Sequence, residues 1–314
     1  MTQSVDAAVA QAHADVVALF RDTPVTDAAG LAAVCRAARD RLTAMPVPDP
    51  HDPHHWDAYR VLTPTVQSLL GYAREAGDPS GEAARFRALL IGVLHYLYDS
   101  RRAAAGIPLA ELVQRDWEEH LGETHPDTIV ALERLAACRH DGEGAEQSRP
   151  VLERIVRLRS QSLGADHPDT LHSLCNLGVC LNTLGDYREA LRLNSETLQR
   201  CERHLGSDNW TTNRAMNVTA SSLFGLGEHS SALFMYRAVH RWHLQRSGAS
   251  SLDTLDAAAD VAHTLHALGD YEAARTLNAD LLHIYERTAG KDYHGTQQTR
   301  ARLTQNLEAL RRDA

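Results

Sequence analysis

Residues 163–212 read LGADHPDTLHSLCNLGVCLNTLGDYREALRLNSETLQRCERHLGSDNWTT, and the spacing inside this stretch decides the fold. It opens on Leu163-Gly164 and comes round to Leu205-Gly206, 42 residues later. The same step runs on to Gly248 and Gly290 and back to Gly122. Six residues after each of these glycines stands a threonine: Thr128, Thr170, Thr212, Thr254 and Thr296. Self-similarity at a fixed period of this length marks a repeat architecture, in which each unit covers its apolar face with its neighbour.

Within one unit, Leu171, Leu174, Leu177, Leu181 and Leu184 recur at three- and four-residue steps and make a single helical stripe. Gly185-Asp186-Tyr187 breaks the pattern, and a second amphipathic stretch follows from Arg188 to His204, with Ala190 small enough for close helix approach. Gly227-Glu228-His229 before Ala232, and Gly269-Asp270-Tyr271 before Ala274, repeat this arrangement. Each period glycine relaxes the backbone where a helix ends. Two residues on, Thr124, Asp166, Asp208, Ser250 or Asp292 is expected to cap the next helix. Pro126 and Pro168 then fall in a first turn, where a missing N–H costs nothing. The fold class is all-α, an array of antiparallel helix pairs.

Leu174, Leu177-Gly178, Leu181, Gly185-Asp186-Tyr187 and Ala190 stand at the spacings of the tetratricopeptide repeat, which the chain resembles. The 42-residue unit, with its LG-x-DHPDT connection at Leu163 to Thr170 and a weaker copy at Leu121 to Thr128, looks like the kinesin light chain type. The resemblance is specific over residues 121–290. It implies a right-handed superhelical solenoid whose inner wall is lined by the first helix of each unit. HDPHHWDAYRVLTPTV at 51–66 and RALLIGVLHYLYDSR at 87–101 also resemble the start of repeat arrays in actinobacterial NB-ARC/tetratricopeptide proteins, some associated with FxSxx-COOH peptide systems. A G-x-x-x-x-G-K-[ST] loop is missing, since Tyr285 stands where the first glycine before Gly290-Lys291 is required. ATPase switching is not carried over.

The expected organisation is an N-terminal helical region over 1–80 that begins the stack, a degenerate helix pair over 81–128, repeats over 129–292, and a capping helix over 293–314. Helices are expected near Val5 to Phe20, Asp27 to Ala44 and His55 to Ala76, then from Gly81 to Ser100 and from Pro108 to Leu121. An exposed polar loop is expected at His140 to Gln147. The net charge of -9 argues against a nucleic-acid coat, and residues 1–80 hold more Asp and Glu than Arg, which disfavours a DNA-binding head. Five cysteines without C-x-x-C spacing indicate buried reduced thiols. No 18-residue apolar run and no secretory start occur, so a cytoplasmic protein with no membrane partner is expected.

On the resemblance, register names the inner wall: His172, Cys175, Asn176, Val179 and Asn182 in one unit, Arg214, Asn217, Ser221 and Phe224 in the next, and Asp256, His263 and His266 in the third. An asparagine amide both donates and accepts, as an extended peptide backbone requires, and an arginine suits a carboxylate. The partner expected is a protein or peptide. Each asparagine could equally satisfy neighbouring helix backbone. No catalytic residue, cofactor or metal is expected: His51, His54 and His55 cluster beside a helix start, and His240/His243 and His263/His266 lack a carboxylate in a metalloenzyme pattern. A scaffold or adaptor is the leading reading. A peptide-sensing regulator, and an enzyme with a cryptic site in the N-terminal half, remain open beside it.

Overall fold

The computed structural model describes residues 2–78 and 83–312, so the expected start at Gly81 and the 80/81 boundary lie outside the described residues. Every described element is helical: α1 (Thr2–Asp22), α2 (Ala28–Ala44), a 3-10 turn (Pro53–His55), α3 (Trp56–Glu75), α4 (Ala84–Asp99), α5 (Ala103–Leu121), α6 (Pro126–Gly142) and α7 (Ala145–Ser162) in a first compact unit. The second unit, from Leu163 on, holds α8 (Pro168–Leu184), α9 (Tyr187–Leu205), α10 (Trp210–Gly225), α11 (His229–Ser247), α12 (Leu252–Ala267), α13 (Tyr271–Thr288) and α14 (His294–Arg312). The all-α, tetratricopeptide-like stack of antiparallel pairs is therefore the fold observed. No described helix is long and apolar enough to cross a membrane.

The first unit gathers one core around Tyr59, Phe86, Leu89, Leu90, Tyr96 and Trp117, all nearly or wholly buried. Two expectations are corrected here. The helix expected from Pro108 begins at Ala103 and carries Pro108 inside it. The loop expected from His140 to Gln147 shrinks to Glu143-Gly144, because Gly144 takes φ +102° and both amides donate to the Arg139 carbonyl. Sequence alone hid this turn: its glycine sits one residue later than the period places it.

In the second unit the period becomes a set of hydrogen bonds. Gly164, Gly206, Gly248 and Gly290 all have positive φ, a region that a Cβ makes costly. The buried Thr170, Thr212 and Thr296 hydroxyls donate to the carbonyls of Gly164, Gly206 and Gly290 at 2.8, 2.7 and 2.7 Å, closing three of the four connections, while Thr254 meets Ser251 Oγ at 3.3 Å. The caps stand one residue later than expected. His167 Nδ1 accepts from the Asp169 amide at 3.2 Å, Asn209 Oδ1 from the Thr211 amide at 2.8 Å, and Ser251 Oγ from the Thr254 amide at 3.3 Å. Asp166 and Asp208, expected as caps, instead accept from Arg200 Nε at 2.8 Å and Trp242 Nε1 at 2.9 Å, each 34 residues on, and so tie the connection to the following second helix.

Close packing within a pair rests on small residues. Ala190, Ala232 and Ala274 are fully buried at the same point of α9, α11 and α13. A Cβ on Gly178 would lie 1.8 Å from Asn194 Oδ1, and buried Asn194 in turn donates to the Val218 carbonyl and to Ser222 Oγ at 3.3 and 3.0 Å. Replacing Thr212 by Val keeps the shape but removes the bond to the half-buried Gly206 carbonyl, a loss of about 0.5–1.5 kcal/mol. Urea unfolding should report Thr212→Val less stable by that amount, with Thr212→Ser close to wild type; equal stability of all three proteins would remove the role given to this bond.

Candidate functional site

The candidate site is the face made by α8, α10, α12 and α14, the first helices of the second unit, which run side by side. Arg214 of α10 donates to Asn176 Oδ1 of α8 at 2.7 Å, the Phe224 ring of α10 lies 4.7 Å from that of His263 on α12, and Arg302 of α14 donates to the Ala259 carbonyl at 3.2 Å. The 42-residue step makes these helices equivalent, so corresponding side chains form rows across the face.

The residues named from register fall into three groups. Cys175 has no exposed surface and packs inside its helix pair, so it does not line the face. Burial, with Cys201 second, pushes its thiol up to about 12, which keeps it protonated and poorly nucleophilic. Asn182 is spent on structure: Nδ2 donates to the Val218 carbonyl at 3.0 Å and Oδ1 accepts from Ser222 at 2.8 Å. It is a bond between repeats, and its amide is not free for a peptide.

The other ten are half-buried or exposed. His172 stacks on Trp210 at 5.4 Å, and the Arg214 guanidinium lies over that same indole at 5.6 Å. Val179 is half-buried one turn before Asn182. Asn217 Oδ1 is enclosed without a hydrogen-bond partner, a costly state for an amide. Ser221 Oγ donates to the Asn217 carbonyl at 3.2 Å and meets Tyr236 Oη at 2.9 Å. Phe224 sits between the rings of His229 and His263. Asp256 accepts from Tyr285 Oη, and His266 packs edge-on against Tyr271 and meets Asn306 on α14.

Three contributors escaped the sequence reading, although counting in steps of 42 from Asn176 reaches two of them. That row runs Asn176, Val218, Asp260, Arg302. Burial pushes the Asp260 carboxyl up to about 6, with Arg302 pulling it down and Asp256 pushing further up. His263 is pushed down to about 4, by burial first and then by Arg302, His266 and His229, so its imidazole is neutral near pH 7. Tyr236 projects from a second helix, α11, and no first-helix register would name it.

Comparison with known proteins agrees with the fold. Residues 127–203 and 254–292 each match a model of the tetratricopeptide repeat, so these stretches carry such repeats. Its stack is similar to the nearly identical tetratricopeptide-like repeats of a Podosopora anserina protein described as a kinesin light chain: TM-score 0.53 and 18% identity, covering 65% of this chain and 96% of that one. BtubC from P. vanneervenii aligns with TM-score 0.52 and 12% identity, over 79% of this chain and 93% of its own. A signal-transduction ATPase from Pyrococcus horikoshii with a tetratricopeptide-repeat sensor aligns with TM-score 0.56 and 10% identity, over 87% of this chain but 40% of that larger protein. These identities establish a shared fold. No curated relative matches the sequence.

Raising a carboxyl's folded-state pKa above its unfolded value of about 3.9 means that the folded state favours the proton. The resulting stability is complete below the unfolded value and is lost as pH rises through about 6. Asp260→Asn, which cannot ionise, should therefore melt above wild type at about pH 8, with the gap narrowing through pH 6 and vanishing below about 4. A gap independent of pH would show that Asp260 ionises freely in the folded protein.

Proposed function

We propose that the chain is a non-catalytic scaffold that holds an extended peptide or protein segment on the α8–α10–α12–α14 face, in the cytoplasm. The observation that carries this reading is the row structure of the face. Half-buried groups able to donate, accept or stack recur in rows on helices that lie side by side: Asn176, Asp260 and Arg302 share one row, Arg214 stands in the row of His172 and Asp256, and Phe224 in the row of Asn182 and His266. An extended segment crossing such helices meets one row after another and can place alternate side chains and backbone amides against them.

Arg214 holds its guanidinium half-buried against an indole and an amide, which leaves a preorganised planar cation suited to a carboxylate. Preorganisation lowers the ordering cost of binding. A signalling or peptide-modification setting of the actinobacterial kind fits a face of this sort, and is part of the proposal on the strength of the sequence resemblance at 51–66 and 87–101 alone.

Selection of peptides from a random display library on the immobilised chain, followed by affinity measurement, tests the reading. Selected peptides should lose about tenfold or more in affinity on Arg214→Glu, about 1.4 kcal/mol, and measurably on Asn217→Ala, while far-UV circular dichroism stays helical. Recovery of peptides that bind both variants as tightly as wild type would move the binding face elsewhere.

A further inference from the structure

The three neighbouring histidines of the sequence, His51, His54 and His55, do not converge. His55 Nδ1 faces the Asp49 backbone, accepting from its amide at 3.2 Å, and His54 is exposed. His51 instead meets two residues more than forty positions on. Its Nδ1 lies 2.8 Å from Asp99 Oδ2, and its ring stands edge-on to that of His95 at 4.7 Å. One ligand atom from each of His51, His95 and Asp99 lies within 4.8 Å of the others.

We propose that His51, His95 and Asp99 form a binding site for a divalent transition-metal ion of the zinc type, which fastens the α2–α3 connection to α4. Two imidazoles and one carboxylate, with a solvent position left over, are a donor set that such an ion takes readily. His95 and Asp99 are one helical turn apart on α4, so both project from one face. Metal–ligand bonds of about 2.0–2.2 Å put tetrahedral neighbours about 3.3 Å apart, so the His51–Asp99 pair, at 2.8 Å, would open by about 0.5 Å and the widest pair, within 4.8 Å, would close by up to about 1.5 Å.

The third arm is held in place by its own loop. His51 N donates to Asp49 Oδ1 at 3.0 Å, Trp56 Nε1 to the Pro50 carbonyl at 3.2 Å, and Tyr59 Oη to the Pro48 carbonyl at 2.7 Å. Binding therefore has little loop entropy to overcome. The His51 side chain is 60% exposed and Asp99 27%, which gives an ion an open path. One neighbour opposes the ion: Arg134 of α6 brings a guanidinium nitrogen to 3.5 Å from His95 Nδ1. That separation is at the outer limit of a hydrogen bond and leaves the lone pair largely available, but the charge weakens binding of a dication.

Calorimetric titration of zinc chloride into the full chain, stripped of metal beforehand with a chelator, decides the matter. Wild type and His54→Ala should take up one ion per chain with the same Kd. His51→Ala, His95→Ala and Asp99→Asn should each weaken that event about tenfold or more, and Arg134→Gln should tighten it. His51 is exposed, so its variant keeps the test valid even where a change at half-buried His95 disturbs packing. Cobalt in place of zinc should give the visible bands of a nitrogen–oxygen site, lost in the same variants. The site is refuted by the lack of a saturable one-to-one event, or by an event that His51→Ala and Asp99→Asn leave untouched. A pair His51–Asp99 that serves only to fasten the loop would lower the melting temperature equally with and without zinc.

Discussion

A threonine hydroxyl donated back to a glycine carbonyl six residues upstream is the contact on which the second unit depends. The glycine must sit at positive φ for the chain to leave one helix, and its carbonyl then lacks a helical partner, a loss of about 0.5–1.5 kcal/mol. Thr170, Thr212 and Thr296 remove that cost from within the connection itself. Three of the four connections are thereby fixed in length and geometry; at the fourth, Thr254 meets the capping Ser251 hydroxyl instead. Packing then follows, with alanines at the close-approach points and leucine stripes between helices.

Function is downstream of that constraint. A face made of equivalent helices carries its side chains in rows only if the period holds, and the partners seen across it join neighbouring first helices: Arg214 to Asn176, Phe224 to His263, Arg302 to Ala259. The rows also explain the electrostatics. Asp260 and Arg302 occupy one row on neighbouring helices, and the enclosed setting that raises the carboxyl is the setting that keeps His263 neutral.

The period and the helix pairs were legible in the sequence because glycine, threonine and leucine positions are local signals with physical causes. The caps were misplaced by one residue because histidine at 167 caps through Nδ1, a role that serine, threonine, asparagine and aspartate usually fill, and because at 208–209 and 250–251 two cap-competent residues stand side by side. The side-chain assignments were harder still. Whether Asn182 faces a ligand or a neighbouring repeat depends on what α10 presents to it, and Ser222 and Val218 are 36 to 40 residues away. Cys175 looked like a wall residue because register gives a direction and not a depth. Likewise, His51 shares a cluster in sequence with His54 and His55, yet only the packing of α4 shows its partners in space.

The 42-residue step is a structural unit set by the spacing of its glycine and threonine. Deleting one whole step, residues 207–248, joins Gly206 to the chain that normally follows Gly248, while the deletion of 208–248, one residue shorter, sets Thr254 one place too far from Gly206. Denaturant unfolding followed by circular dichroism should show a helical protein with a single cooperative transition for the whole-step deletion, and a marked loss of stability for the shorter one. Equal behaviour of the two would contradict the claim that this spacing builds the stack.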